Sequence, residues 1–139
     1  MSGQSPKHRA LTVADPADWA AVNDALDGFE DGIVKEVWLE GGRWLTREDQ
    51  IAECGLSMAI VVVQLQSASV RSATLRFEGV RALAFDSTRE ISPARASSLR
   101  DGWQAEFLSC QITARACEVE LLGDEMLGPG PFLAAKTGG

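Results

Sequence analysis

Histidine is nearly missing from this chain: His8 is the sole one in 139 residues. That excludes a two-histidine metal site within the chain, and it leaves a histidine-based nucleophile relay nothing to draw on except one solvated residue in a polar tail. Cysteine is scarce as well. Cys54, Cys110 and Cys117 are odd in number and lack metal-ligand spacing, so reduced thiols in a cytoplasmic protein are expected, packed as small core or strand residues, and no disulfide framework. The polar opening Met1–Arg9 leads into no apolar stretch of signal-peptide length, so export is not expected. The longest apolar run, Met58–Val63, falls far short of the roughly 20 residues of a membrane-spanning helix, so no membrane span is expected. Glycine spacing matches neither a phosphate loop nor a dinucleotide fingerprint, and no cofactor is implied. Lysine and arginine number 13 against 20 aspartates and glutamates, a formal net charge of −7. A phosphate backbone would be repelled, which argues against nucleic acid and leaves a basic protein as the charge-matched partner.

What remains is the composition of one folded domain: 45% hydrophobic and 24% charged residues, on a chain long enough to bury a core. Asp15-Pro16-Ala17-Asp18 combines an N-cap, a proline at the first helical position and a carboxylate at the positive end of the helix. Trp19, Val22 and Leu26 then recur at helical spacing, and Gly28 can adopt the left-handed conformation that stops a helix. A helix over Pro16–Asp27 is predicted.

From Ile33 onward the pattern belongs to strands. Ile33, Val37 and Leu39 alternate with charges up to the Gly41-Gly42 break, and Arg43-Trp44-Leu45 begins a returning strand. Thr46-Arg47-Glu48-Asp49 resembles a capping box and predicts a short helix ending at Gly55. Met58–Gln66 is the strongest strand, apolar on both faces and therefore central. Ala73–Glu78 and Val80–Phe85 follow, with Gly79 as a bulge or turn between them. Asp86–Pro93 is a loop by composition. Asp101-Gly102 is the best hairpin turn, joining Ala96–Arg100 to Trp103–Ser109, with Trp103, Ala105 and Phe107 on the buried face. Ile112–Leu122 is read as one last strand, irregular near Cys110-Gln111, whose outward positions include Ala114, Ala116, Glu118 and Glu120. The predicted fold is mainly β, an antiparallel β-sandwich or curled sheet with one N-terminal helix packed on it. Residues 1–14 form a flexible polar tail, 15–123 a single β-rich domain, and 124–139 a Gly/Pro-rich C-terminal segment, read as mobile.

Candidate functional residues are few. Trp38 and Trp44 can serve as aromatic anchors, whereas Trp19 lies on the apolar face of the helix and Trp103 on the buried face of its strand. Trp38 shares a strand face with Glu36 and Glu40. Glu30, Asp31, Glu36 and Glu40 can steer a basic partner, while Glu118 and Glu120, two apart on one strand face, are the other paired carboxylates. Arg71, Arg76 and Arg81 are interrupted by acids and separated by strand alternation, a solubility pattern.

Gly28-Phe29-Glu30-Asp31-Gly32-Ile33-Val34-Lys35-Glu36, followed by Ala73–Leu83, resembles a group of uncharacterised bacterial proteins. In these an F-H-D-G-x-x-[KR]-E turn-strand precedes an L-R-F-x-x-V-x-x-L strand pair. Glu30 stands where that group tends to have histidine, which removes any histidine chemistry the resemblance would imply. More loosely, the strand-rich pattern is similar to small β-rich immunity proteins that neutralise toxins of bacterial competition systems, which implies a binder and not a catalyst. The expected function is accordingly a non-catalytic binding module, of the immunity type, for a basic partner. The alternatives are a small-ligand binder or enzyme using carboxylates in a sheet cleft, and a homo-oligomer joined through sheet edges.

Overall fold

The computed structural model describes residues 9–53, 57–66 and 70–133. Asp15 caps the helical stretch as its position requires. Its carboxylate accepts the backbone N–H groups of Ala17 at 2.9 Å and Asp18 at 3.3 Å, while Asp18 reaches back to the Ala14 N–H at 2.9 Å. These bonds satisfy donors that a first turn cannot satisfy itself. A 3-10 turn at Pro16–Asp18 leads into α1 (Trp19–Ala25), which therefore stops short of the expected Asp27. Asp27, Gly28 and Phe29 all take left-handed backbone, with φ of 52°, 69° and 64°. Each non-glycine residue there costs about 1–2 kcal/mol. Burial offsets it: Phe29 is fully buried, stacked on Trp19 at 6.0 Å and tilted against Phe107 at 5.2 Å.

The strands are β1 (Arg9–Val13), β2 (Gly32–Glu40), β3 (Arg43–Leu45), β4 (Ile51–Glu53), β5 (Met58–Leu65) and β6 (Ser72–Glu78). After them come β7 (Ala82–Phe85), β8 (Ile91–Leu99), β9 (Gly102–Leu108), β10 (Cys110–Ala114) and β11 (Ala116–Leu122). All pairs are antiparallel. A five-stranded sheet runs β1-β11-β6-β5-β2, a four-stranded sheet runs β7-β10-β9-β8, and β3-β4 is a separate hairpin. The helix contacts β8 and β1, and Asn23 donates to the Ala94 carbonyl at 3.1 Å. The mainly β architecture with a short N-terminal helix is thus as the sequence indicates.

The two large sheets are joined by a corner. The β6–β11 pair ends at Glu78 opposite Ala116, and the β7–β10 pair resumes at Ala82 opposite Thr113. Across the bend, the Arg115 N–H bonds the Glu78 carbonyl at 3.0 Å and the Arg81 N–H bonds the Thr113 carbonyl at 2.8 Å. One two-stranded ribbon therefore passes from the first sheet into the second. Trp103 fastens the bend, its Nε1–H donating to the Arg115 carbonyl at 3.0 Å. The single strand expected over Ile112–Leu122 is in fact two, broken at Arg115. Alternation inverts there, which is why Ala114, read as outward, is buried.

Four other expectations are corrected. Arg9–Val13 is a strand with Val13 fully buried, so the polar tail is shorter than 1–14; residues 1–8, His8 among them, lie outside the described residues. The expected helix from Thr46 is a loop between paired β3 and β4. Thr46 Oγ1 does accept the Glu48 and Gln50 N–H groups, but Asp49 turns left-handed at φ 63° and no helix propagates. β8 begins at Ile91, within the expected loop. The β8–β9 turn is centred one residue earlier than expected, on Arg100-Asp101, with Leu99 opposite Gly102. Gly102 is needed for another reason: at φ 128°, a Cβ on it would stand 2.6 Å from the Ala114 carbonyl oxygen at the corner.

The core between the sheets centres on Trp19, Phe29, Phe77, Trp103 and Phe107, whose ring centroids lie 5.2 to 6.5 Å apart. Trp103, Ala105 and Phe107 share the buried face of β9 as alternation requires. Burial pushes the Cys110 thiol up to about 12 from 9.0 and the Cys117 thiol well above 9.0. Both are thiols at neutral pH and poor nucleophiles. Cys54 lies outside the described residues.

Candidate functional site

Two surfaces depart from the ordinary apolar-in, polar-out pattern, and both involve β2. The first is its free edge together with the β3–β4 hairpin. Among the described strands β2 ends the five-stranded sheet, pairing only with β5, and it carries a bulge between Val34 and Glu36 of the kind that blunts an exposed edge. Beyond the bulge, Glu36, Trp38 and Glu40 point to the outer face opposite Val62, Ile60 and Met58, while Val37 and Leu39 point toward the side of the core. Even so, Leu39 remains 54% exposed and Val37 36%. The hairpin adds Trp44 at 54%, Leu45 at 68% and Ile51 at 64%, with Leu45 directly opposite Ile51. An isolated two-stranded hairpin is marginal in water, and this one turns apolar side chains toward it.

The anchors named from the sequence separate here. Trp44 is exposed and Trp38 half-buried; Glu40 is exposed at the hairpin end of β2, and Glu30 and Asp31 are exposed at its opposite end. Glu36 has a different task. Its two carboxylate oxygens accept the backbone N–H groups of Phe132 at 2.5 Å and Leu133 at 2.7 Å, and Lys35 lies 3.8 Å away and over the Phe132 ring. It is committed within the chain and drops out of the steering set. The apolar members Val37, Leu39, Leu45 and Ile51 were missed. Their signal was present in the Arg43-Trp44-Leu45 return strand, but reading Thr46 as a helix start removed the partner strand that sets Ile51 opposite Leu45.

The second surface is the outer face of the five-stranded sheet. The Gly/Pro-rich segment expected to be mobile crosses it as far as residue 133. The Ser72 hydroxyl holds the Gly123 carbonyl at 2.8 Å, the Gln64 side-chain amide donates to the Met126 and Gly128 carbonyls at 2.8 and 3.0 Å, and Glu36 holds Phe132 and Leu133. Beside the docked Leu133 runs a groove of about 420 Å³ lined by Ile60, Thr74, Arg76, Glu118 and Glu120. The structure thus brings Glu118 and Glu120 to one concave surface. Arg76 is shared there between Glu78 at 2.8 Å and Glu118 at 3.8 Å. Among the described residues no three His, Cys, Asp or Glu side chains converge as metal ligands, and no helix is long and apolar enough to cross a membrane. Comparison of the chain with protein-family models, curated proteins and solved structures finds no match.

Proposed function

We propose that this chain is a non-catalytic protein-binding module that engages a basic partner through the free edge of β2 and the β3–β4 hairpin, in the manner of an immunity-type inhibitor. One observation carries the reading. Among the described residues, eight large hydrophobic side chains stand exposed, and six of them fall between Ile33 and Ile51: Ile33, Val37, Leu39, Trp44, Leu45 and Ile51. Exposed apolar surface concentrated on one edge and one projecting arm marks an interaction site, whereas scattered single residues do not. Trp44 supplies the aromatic anchor, and Glu30, Asp31 and Glu40 supply rim charge that accelerates encounter with a basic surface.

Charge favours a different protein over a second copy of this chain. Pairing β2 with its own symmetry mate about Trp38 would set Val37 opposite Leu39, but it would also set Glu36 opposite Glu40 on the other face. Like charges directly opposite destabilise a strand pair. The rival enzyme reading has Glu118 and Glu120 in a groove, but no nucleophile–base pair accompanies them among the described residues.

The test is affinity capture from the native host at low and high salt, run in parallel with the Trp44→Ala/Leu45→Ser double variant. A stoichiometric partner is expected with the parent chain, weakening with salt and absent with the variant. A parent chain that captures nothing at low salt, or a partner retained equally by the variant, overturns the reading. Light scattering across dilution reports self-association separately.

A further inference from the structure

A sheet face open to water should alternate, yet the outer face of the five-stranded sheet carries Ile60, Val62 and Leu122. Val62, Leu122 and Leu133 are buried to 4% exposure or less, but they lie outside the contiguous core between the sheets. They are covered on the far side of the sheet. Val62 sits directly opposite Glu36, the residue that holds Phe132 and Leu133, so the cover over it is the segment 124–133.

That cover is held by side chains and not by strand pairing. Gly128-Pro129-Gly130-Pro131 adds no strand to either sheet, and side chains hold the backbone: Ser72 at one end, Gln64 in the middle and Glu36 at the other. Its release breaks no strand pair, which is the condition for local opening well below the cost of global unfolding. Nor does the segment fill the surface it covers. The groove of about 420 Å³ stays open beside Leu133, apolar at Ile60 and with one cation, Arg76, divided between Glu78 and Glu118 at its rim.

We propose that this outer face is a binding site for an extended partner segment, held closed in cis by residues 124–133. The segment it takes carries an apolar side chain larger than leucine, seated in place of Leu133, and a basic residue just after it to meet Glu118. The proposal rests on the protein-binding reading above but places a second contact on a separate surface. The chain's own strap shows which backbone chemistry fits, namely two successive N–H groups offered to Glu36.

The test uses the full chain and two labelled peptides: a copy of Gly123–Leu133, and the same sequence with phenylalanine in place of the leucine and a lysine added after it. Tethering gives the cis strap an effective concentration of order millimolar, so the Leu133→Ala protein should bind the copy about tenfold or more tightly than the parent does. The phenylalanine–lysine peptide should bind Leu133→Ala more tightly still, and Glu118→Gln should remove the share due to lysine. Three outcomes overturn the proposal: no binding to a Leu133→Ala protein whose near-ultraviolet circular dichroism is native, equal affinity for parent and variant, or no gain from the second peptide. If Leu133→Ala does not fold, hydrogen exchange in the parent chain decides. Phe132 and Leu133 amides exchanging through local opening support the strap, and exchange only through global unfolding overturns it. Trp44→Ala should leave peptide affinity unchanged, so failure at the hairpin and failure here are told apart.

Discussion

The five-stranded sheet has two apolar faces and covers them by different means. Its inner face meets the four-stranded sheet and α1 across a close-packed set of five aromatic rings, with the helix capped by Asp15 and tied to β8 by Asn23. Its outer face meets a single segment held by side chains, Ser72, Gln64, Glu36, Arg71 and Lys35 among them. β5 is apolar on both sides and would look alike from either. The difference lies in what would be lost on exposure: on the inner side the packing of two sheets, on the outer side a few side-chain contacts. The first kind of cover joins two sheets, and the second lays one segment over a sheet through side-chain bonds.

The largest expected effect tests the inner face. Phe107→Ala removes a fully buried ring from the centre of the cluster and should cost about 3–5 kcal/mol, read from the urea midpoint. A small loss would mean that the aromatic set does not carry the fold, and the comparison would fail at once. On the outer face Leu133→Ala should cost less, about 2 kcal/mol at most, because the strap can detach without taking the sheets with it. Hydrogen exchange should localise its effect to residues 124–133 and the amides beneath them. Were the two substitutions equally costly, the outer cover would be core.

A third measurement concerns thiols on the inner side. Burial raises the Cys110 thiol from 9.0 to about 12, so below pH 9 it is neutral in both states. Above that pH the unfolded chain loses the proton first, and the native state is progressively destabilised until about pH 12. The expected loss is about 1 kcal/mol one unit above the ordinary thiol value. It should shrink in a Cys110→Ala/Cys117→Ala chain, whose midpoint is compared with its own value at neutral pH. A pH dependence identical in the two chains would mean that solvent reaches the thiols. The smallest effects belong to the surface: Trp44→Ala and Gln104→Ala should each change the midpoint by less than about 0.5 kcal/mol, the first while abolishing partner capture.

Part of the candidate site could be read from the chain and part could not. Trp44 was legible as an aromatic on a short return strand, and Glu118 with Glu120 as neighbours on one strand face. Leu45 and Ile51 were not, because Thr46 makes the same side-chain-to-backbone bonds in a tight loop as it would at a helix start. Glu36 was legible only as a charge. Its partner lies almost a hundred residues away in sequence, in a segment whose glycines and prolines advertise the lack of a strand or helix but not the presence of a docking face.

By itself the sequence determined what depends on near neighbours. The Asp15-Pro16 helix start, the buried face of Trp103, Ala105 and Phe107, and the interior place of β5, one strand off the centre held by β6, follow from capping, alternation and double-sided apolarity. Tertiary structure alone decided what depends on which surface lies opposite. It divided the expected last strand at Arg115, where an inversion of burial marks the passage from one sheet to the other, and it chose a strap instead of a third layer for the far side of β5. A periodic pattern states that a face must be covered; only the folded chain states by what, since burial is a property of two surfaces brought together and each strand encodes only its own.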